Sequence, residues 1–231
     1  MTSAPPPRRA PRLLAISDRL ALAGGDAPDG GGPAGGLEPW LRRLAAAGVD
    51  AVQLREKDLD DADLYALACR ARALLPPPIA LLVNGRPDVA LAAGADGVHL
   101  PADGLPAAAV RRRWGARLVI GVSTHRVAEV EAALAAGADY VTFGPVYPTP
   151  SKARLGPAAG LDALRRAAAV GIPVVALGGV TAERLPELAA AGAAGAAGIR
   201  CFLDAASIAA MVRAAARTFD RHPLDAAPRR A

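Results

Sequence analysis

LAAGADGVHL (residues 91–100) and LAAGADYVTF (134–143) open alike and end differently, and two looser copies, LAAAGVDAVQL (44–54) and LAAAGAAGAAGI (188–199), frame them. Each copy reads as the end of an Ala-rich helix, a glycine that stops it in a left-handed turn (Gly48, Gly94, Gly137, Gly192), a short polar link, and an apolar run of strand length. The unit is helix, turn, strand. Further strand candidates at Leu13–Ser17, Ile79–Val83, Leu118–Val122 and Val174–Leu177 bring the set to eight. Most are spaced by about 20 to 30 residues, as β-α units require. Eight such units in one chain predict a single α/β domain, a closed (β/α)8 TIM barrel with parallel strands. Runs such as PVVAL and LVIGV are nearly all apolar, as expected of parallel strands covered on both faces. The shared opening then builds the floor of the barrel. The varied ending is the carboxyl end of each strand, where barrel enzymes place their chemistry.

With 231 residues, 52% of them hydrophobic, the chain can bury a large core. The barrel is expected over residues 12–219, with a flexible Gly-rich insertion at 24–36 (GGDAPDGGGPAGG) and loose tails at 1–11 and 220–231. No run approaches the length of a membrane-spanning helix, and MTSAPPPRRAPR lacks the apolar core of a secretory signal, so a soluble, cytoplasmic protein is expected. Cys69 and Cys201 are too few and too far apart for a disulfide framework or a zinc site and read as small packing residues. The net charge of +5 lies largely in the tails (Arg8, Arg9, Arg12, Arg229, Arg230) and in the run Arg111 to Arg113. With aromatics at 3% there is no stacking platform for nucleic acid, and charge implies only a general preference for anions.

Against an alphabet biased to Ala, Arg, Gly and Pro, the rare letters stand out. Of 27 Lys and Arg residues only Lys57 and Lys152 are lysine, Gln53 is the one glutamine and Asn84 the one asparagine. All four fall at predicted strand ends. A period of two puts Gln53, Arg55 and Lys57 on one face of AVQLREK, making an anion clamp. The alternative is a set of structural ion pairs with Glu56 or Asp58. Gly178 and Gly179 follow the seventh strand, and Gly198, Ile199 and Arg200 the eighth; bare amides in these two loops suit a phosphate. After the fifth strand, GVSTHRVAEVEAAL places Ser123 or Thr124 as a helix N-cap and His125 in the first turn, where the helix dipole favours neutral imidazole. His99, inside a strand, reads as a satisfied core histidine.

AISDR, QLREK, GADGVHL, GADYVTFGPVYPTPSK and PVVALGGVTAERLPEL together resemble the thiamine phosphate synthase and TenI superfamily, from about Leu13 to Asp204. The synthase branch joins an aminopyrimidine methyl pyrophosphate to a thiazole phosphate. By that resemblance Gln53, Arg55, Lys57, Thr149, Ser151 and Lys152 hold pyrophosphate. The branch also uses magnesium on two aspartates, at positions that here carry Gly85 and Gly104, with Asp103, Glu56 and Asp58 the nearby carboxylates. TenI-type thiazole tautomerases look similar at the same gaps. They aromatise a thiazole phosphate carboxylate by moving a proton, and His125 matches their catalytic histidine. Arg200 stands where both branches usually have Ser. The resemblance therefore implies an enzyme of the thiazole branch of thiamine biosynthesis. The tautomerase ranks first, with His125 catalytic and Asn84 and Ser123 among the substrate contacts, and no metal is expected. The synthase, with Mg2+, is the alternative, and a non-catalytic regulatory barrel binding a phosphate ligand the third reading. The partner implied is the thiazole phosphate itself, with a homo-oligomer open.

Overall fold

The computed structural model describes residues 10–22, 36–149 and 157–219. Most of the N-terminal tail, nearly all of the Gly-rich insertion, the C-terminal tail, and Ser151 and Lys152 lie outside the described residues. Eight parallel strands close into a barrel in chain order: β1 (Leu13–Ile16), β2 (Ala51–Leu54), β3 (Ala80–Asn84), β4 (Gly97–Leu100), β5 (Val119–Thr124), β6 (Tyr140–Phe143), β7 (Val174–Leu177) and β8 (Gly195–Gly198). Around them run α1 (Arg19–Leu22), α2 (Leu37–Ala47), α3 (Asp61–Leu74), α4 (Pro87–Ala92), α5 (Ala107–Trp114), α6 (Val127–Ala135), α7 (Gly160–Ala168), α8 (Leu185–Ala190) and α9 (Ala205–Thr218). The (β/α)8 expectation holds.

Alternation within each strand makes two cores. Leu14, Ile16, Ala51, Leu82, Val119, Tyr140, Val175 and Ala197 fill the barrel. The opposite series, including Leu13, Val52, Leu54, Leu81 and Val83, packs under Trp40, Leu41, Leu44 and the other helical side chains. Ala10, assigned to the tail, joins the interior cluster with 5% of its surface exposed. Among the described residues no helix is long and apolar enough to cross a membrane.

The repeated phrase earns its recurrence at the floor. Gly48, Gly94, Gly137 and Gly192 all have positive φ, between +69° and +89°. A residue with a Cβ would be strained there. The aspartate that follows is a bracket. Asp50 accepts from the Leu13 amide (3.1 Å) and pairs with Arg12 (2.9 Å). Asp96 accepts from the Leu81 amide (2.8 Å) and pairs with Arg72. Asp139 accepts from the Ile120 amide (2.7 Å) and pairs with Arg111 (2.7 Å). The carboxylate ahead of each of β2, β4 and β6 thus ties down the start of the strand before it. Arg111, the first of the helical arginine run, belongs to this scaffold.

Candidate active site

The carboxyl ends of the strands bring most of the expected residues together. Gln53 ends the interior series of β2, 2% exposed, and its Nε2 donates to Asn84 Oδ1 at 3.0 Å. Its own Oε1 is buried without a partner. That orphan oxygen is costly to a fold unless something fills the mouth and donates to it. On the other side of the pair, Asn84 Nδ2 has no partner among the described residues. The two amides therefore present an acceptor and a donor side by side.

β2 ends at Leu54, so the alternation that would have carried Arg55 and Lys57 onto one face does not extend to them. Arg55 is half-buried and close enough to the buried His99 to disfavour its protonation, whereas Lys57 sits exposed in the turn beyond. The structural ion pairs weighed for them do not form. Arg19 takes both carboxylates, pairing with Asp58 and lying 3.9 Å from Glu56. Ser17 ties the exit of β1 to β2: its hydroxyl donates to Glu56 and accepts from the Arg55 amide at 2.9 Å. Burial raises the Glu56 pKa, against the lowering pull of Ser17 and Arg19. Among the described residues no carboxylate pairs with Arg55, Lys57 or Arg200.

β5 runs to Thr124, whose hydroxyl donates to the Thr142 carbonyl at 2.9 Å. The helix start expected at Ser123 or Thr124 is therefore corrected: α6 begins at Val127 behind Arg126, and His125 lies in the bend ahead of it. Thr124 is paired with Phe143 in the β5–β6 ladder, which keeps it in the strand and out of the cap position. His125 is 40% exposed, with Nδ1 3.4 Å from Glu129 Oε2, and its amide donates to the same carboxylate at 2.7 Å. Burial would raise the Glu129 pKa, but the His125 amide and Arg126 guanidinium outweigh it and hold the carboxyl low. His99 is the satisfied core histidine expected, 2% exposed, with both ring nitrogens in reach of hydroxyls.

Gly178 and Gly179 turn after β7 with φ of +96° and +66°. Space as well as torsion demands glycine, since a Cβ at either would stand 2.6 Å from Pro145 or Tyr147. A clasp that the sequence did not reveal holds this turn. Arg184 donates to the Gly179 carbonyl and lies 4.2 Å over the Tyr147 ring, while the Tyr147 hydroxyl donates to Glu187. Burial and the bond to Glu187 push the Tyr147 phenol up to about 12. After β8, Ile199 is half-buried and Arg200 exposed. Cys201 is an inert packing residue, its thiol pushed up to about 12 by burial. Thr149 is half-buried and has a partner. The groove between α2 and α3, lined by Arg19, Glu38, Leu59 and Arg70, has Arg70 and Glu38 paired across it at 3.3 Å and shares none of the mouth residues.

The residues do not fit a carboxylate-held magnesium. Gly85 turns with φ of +69° and bears no side chain, and a Cβ on Gly104 would stand 2.8 Å from Pro101, which fills that corner. Asp103 is exposed, and Glu56 is tied to Ser17 and the Arg19 amide. Among the described residues no three His, Cys, Asp or Glu side chains gather to hold a metal.

A closed parallel barrel with its unpaired amides and cations gathered at one rim belongs to the class of (β/α)8 enzymes. A sequence model of the thiamine monophosphate synthase family matches residues 30–202, and the chain belongs to that family. A protein of Geobacter sulfurreducens, named provisionally as a thiamine-phosphate synthase, is 52% identical over 80% of this chain and 83% of its own. One of Methanoculleus marisnigri, named thiamine-phosphate synthase, is 46% identical over 75% of this chain and 83% of its own. Among solved structures, the thiamine phosphate pyrophosphorylase from Pyrococcus furiosus superposes with a TM-score of 0.76 at 26% identity. It covers 90% of this chain and 97% of its own.

Proposed function

We propose that this chain is a transferase of thiamine biosynthesis that couples an aminopyrimidine methyl pyrophosphate to a thiazole phosphate and releases pyrophosphate. The observation that carries this reading is the orphan Oε1 of Gln53 beside the Asn84 amide nitrogen, which has no partner among the described residues. An aminopyrimidine edge offers an amino donor next to a ring-nitrogen acceptor and would satisfy both. A carboxylated thiazole phosphate brings mostly acceptors and leaves the Gln53 oxygen unmet. The names of the relatives point the same way. This reverses the order of the two readings taken from the sequence alone.

In the coupling reaction the thiazole nitrogen attacks the methylene carbon, the C–O bond breaks, and its electron pair leaves with pyrophosphate; no proton need move. The charge that builds on the leaving oxygen falls where Arg55 and Lys57 have no carboxylate partner among the described residues. The Gly178–Gly179 turn, with Gly198, Ile199 and Arg200, would take the thiazole phosphate, and Thr149 would contact the pyrophosphate, a role the family resemblance also gives Ser151 and Lys152, which lie outside the described residues. The tautomerase remains the second reading, favoured by His125 standing open at the mouth beside Glu129.

A paired assay decides between them: the full chain is given both coupling substrates, or the carboxylated thiazole phosphate alone, each with and without EDTA. The coupling reading predicts thiamine phosphate and pyrophosphate in equal amounts. Because no carboxylates gather to hold a metal among the described residues, EDTA should lower the rate by less than about tenfold, about 1.4 kcal/mol. Aromatisation without any coupling would establish the tautomerase instead. Coupling abolished by EDTA would show that a metal takes part and would overturn that expectation.

A further inference from the structure

One polar cluster interrupts the apolar filling of the barrel. His99 Nδ1 lies 3.0 Å from the Tyr140 hydroxyl, and Nε2 lies 3.0 Å from Ser123 Oγ with Thr142 Oγ1 farther off at 3.4 Å. The cluster fits because residue 121 is glycine. A Cβ there would stand 2.6 Å from His99 Nδ1 and closer still to the Tyr140 ring.

Its protons can be assigned from what surrounds them. Tyr140 is fully buried one layer below the mouth, among Leu14, Leu82, Val119 and Val175. Among the described residues, His99 Nδ1 is the acceptor its hydroxyl reaches. A buried hydroxyl that donates to nothing is costly, so Tyr140 donates and Nδ1 accepts. Burial, with the Arg55 charge nearby, keeps the ring neutral, its pKa held down at about 3. A neutral imidazole carries one N–H, which must then sit on Nε2 and point at Ser123, the nearer hydroxyl. Ser123 accepts that proton and keeps its own for the mouth, where no other described residue meets it. Thr142, buried and level with Ser123 in the β5–β6 register, also faces Nε2 but stands 3.4 Å away, so the shorter 3.0 Å contact to Ser123 takes the ring proton.

We propose that Tyr140 and His99 are positioning residues that fix Ser123 as a hydrogen-bond donor to an anionic oxygen of the bound pyrophosphate substrate. The identity of that ligand rests on the coupling reading above. The histidine acts through Ser123 and exchanges no proton with substrate.

Histidine-selective 15N NMR on the full chain tests the pair without any ligand. The expected spectrum shows His99 protonated at Nε2 and bare at Nδ1 near pH 7, with the Nδ1-protonated form appearing in Tyr140→Phe. An Nδ1-protonated or doubly protonated His99 in the parent chain would overturn the proposal, whether or not Tyr140→Phe folds. The second readout is calorimetric titration with inorganic pyrophosphate. Losing one oriented donor should weaken binding about threefold to tenfold in Tyr140→Phe, and should change nothing further when Ser123 is already Ala. Equal losses in both backgrounds would show that Tyr140 acts by packing alone and would reject the mechanism. If pyrophosphate does not bind the parent chain, the coupling reading fails, while the NMR result still decides the Tyr140–His99 pair.

Discussion

The two ends of the barrel spend their polar groups in opposite ways. At the floor every bracket is closed: Asp50, Asp96 and Asp139 each take a backbone amide and an arginine. At the mouth the Gln53 oxygen is orphaned, and no described residue pairs with the side chains of Arg55, Lys57 or Arg200. Satisfied groups contribute to the fold, whereas groups left wanting in a pre-formed cleft cost stability and repay it only when a ligand arrives. The difference separates what folds this chain from what it binds.

The sharpest way to break that division is at Arg55. Arg55→Ala should lower the coupling rate by about 10²–10³-fold, the usual cost of one preorganised charge donor, while leaving the thermal midpoint nearly unmoved. Steady-state kinetics beside a melting curve reads both. A large loss of stability with little loss of rate would put Arg55 on the structural side. The converse holds at the floor. Asp139→Ala leaves the amide of the buried Ile120 and the partly exposed Arg111 guanidinium without their carboxylate, for a loss of about 1–2 kcal/mol. The midpoint should fall by roughly 2–8 °C, with kcat within about twofold of the parent. A Michaelis constant that rises instead would mean that floor and mouth are not independent.

How much of this was legible in the sequence follows the same division. The repeat announced the barrel because left-handed glycines and apolar strand runs are local features, readable a few letters at a time. The rare letters Gln53 and Asn84 were found for a related reason, since a biased composition makes an exception visible. What stayed hidden depends on partners distant in sequence. The Asp50 bracket joins residues 37 and 38 apart, and the Tyr147–Glu187 contact spans 40. Ser-Thr-His reads as a cap and so puts His125 inside a helix, but pairing of β5 with β6 through Thr124 and Phe143 extends the strand instead. Lys57 was placed by an alternation that ends where the strand ends, and strand ends are set by the neighbouring chain.

On the coupling reading the pyrimidine sits on the unmet amide edge of Gln53 and Asn84. A crystal structure of the full chain with an aminopyrimidine methyl pyrophosphate bound tests it most directly. The exocyclic amino group should lie within hydrogen-bond distance of Gln53 Oε1, with the Asn84 amide on a ring nitrogen and the pyrophosphate oxygens against Arg55. A ring bound elsewhere, with water on Gln53 Oε1, would contradict it.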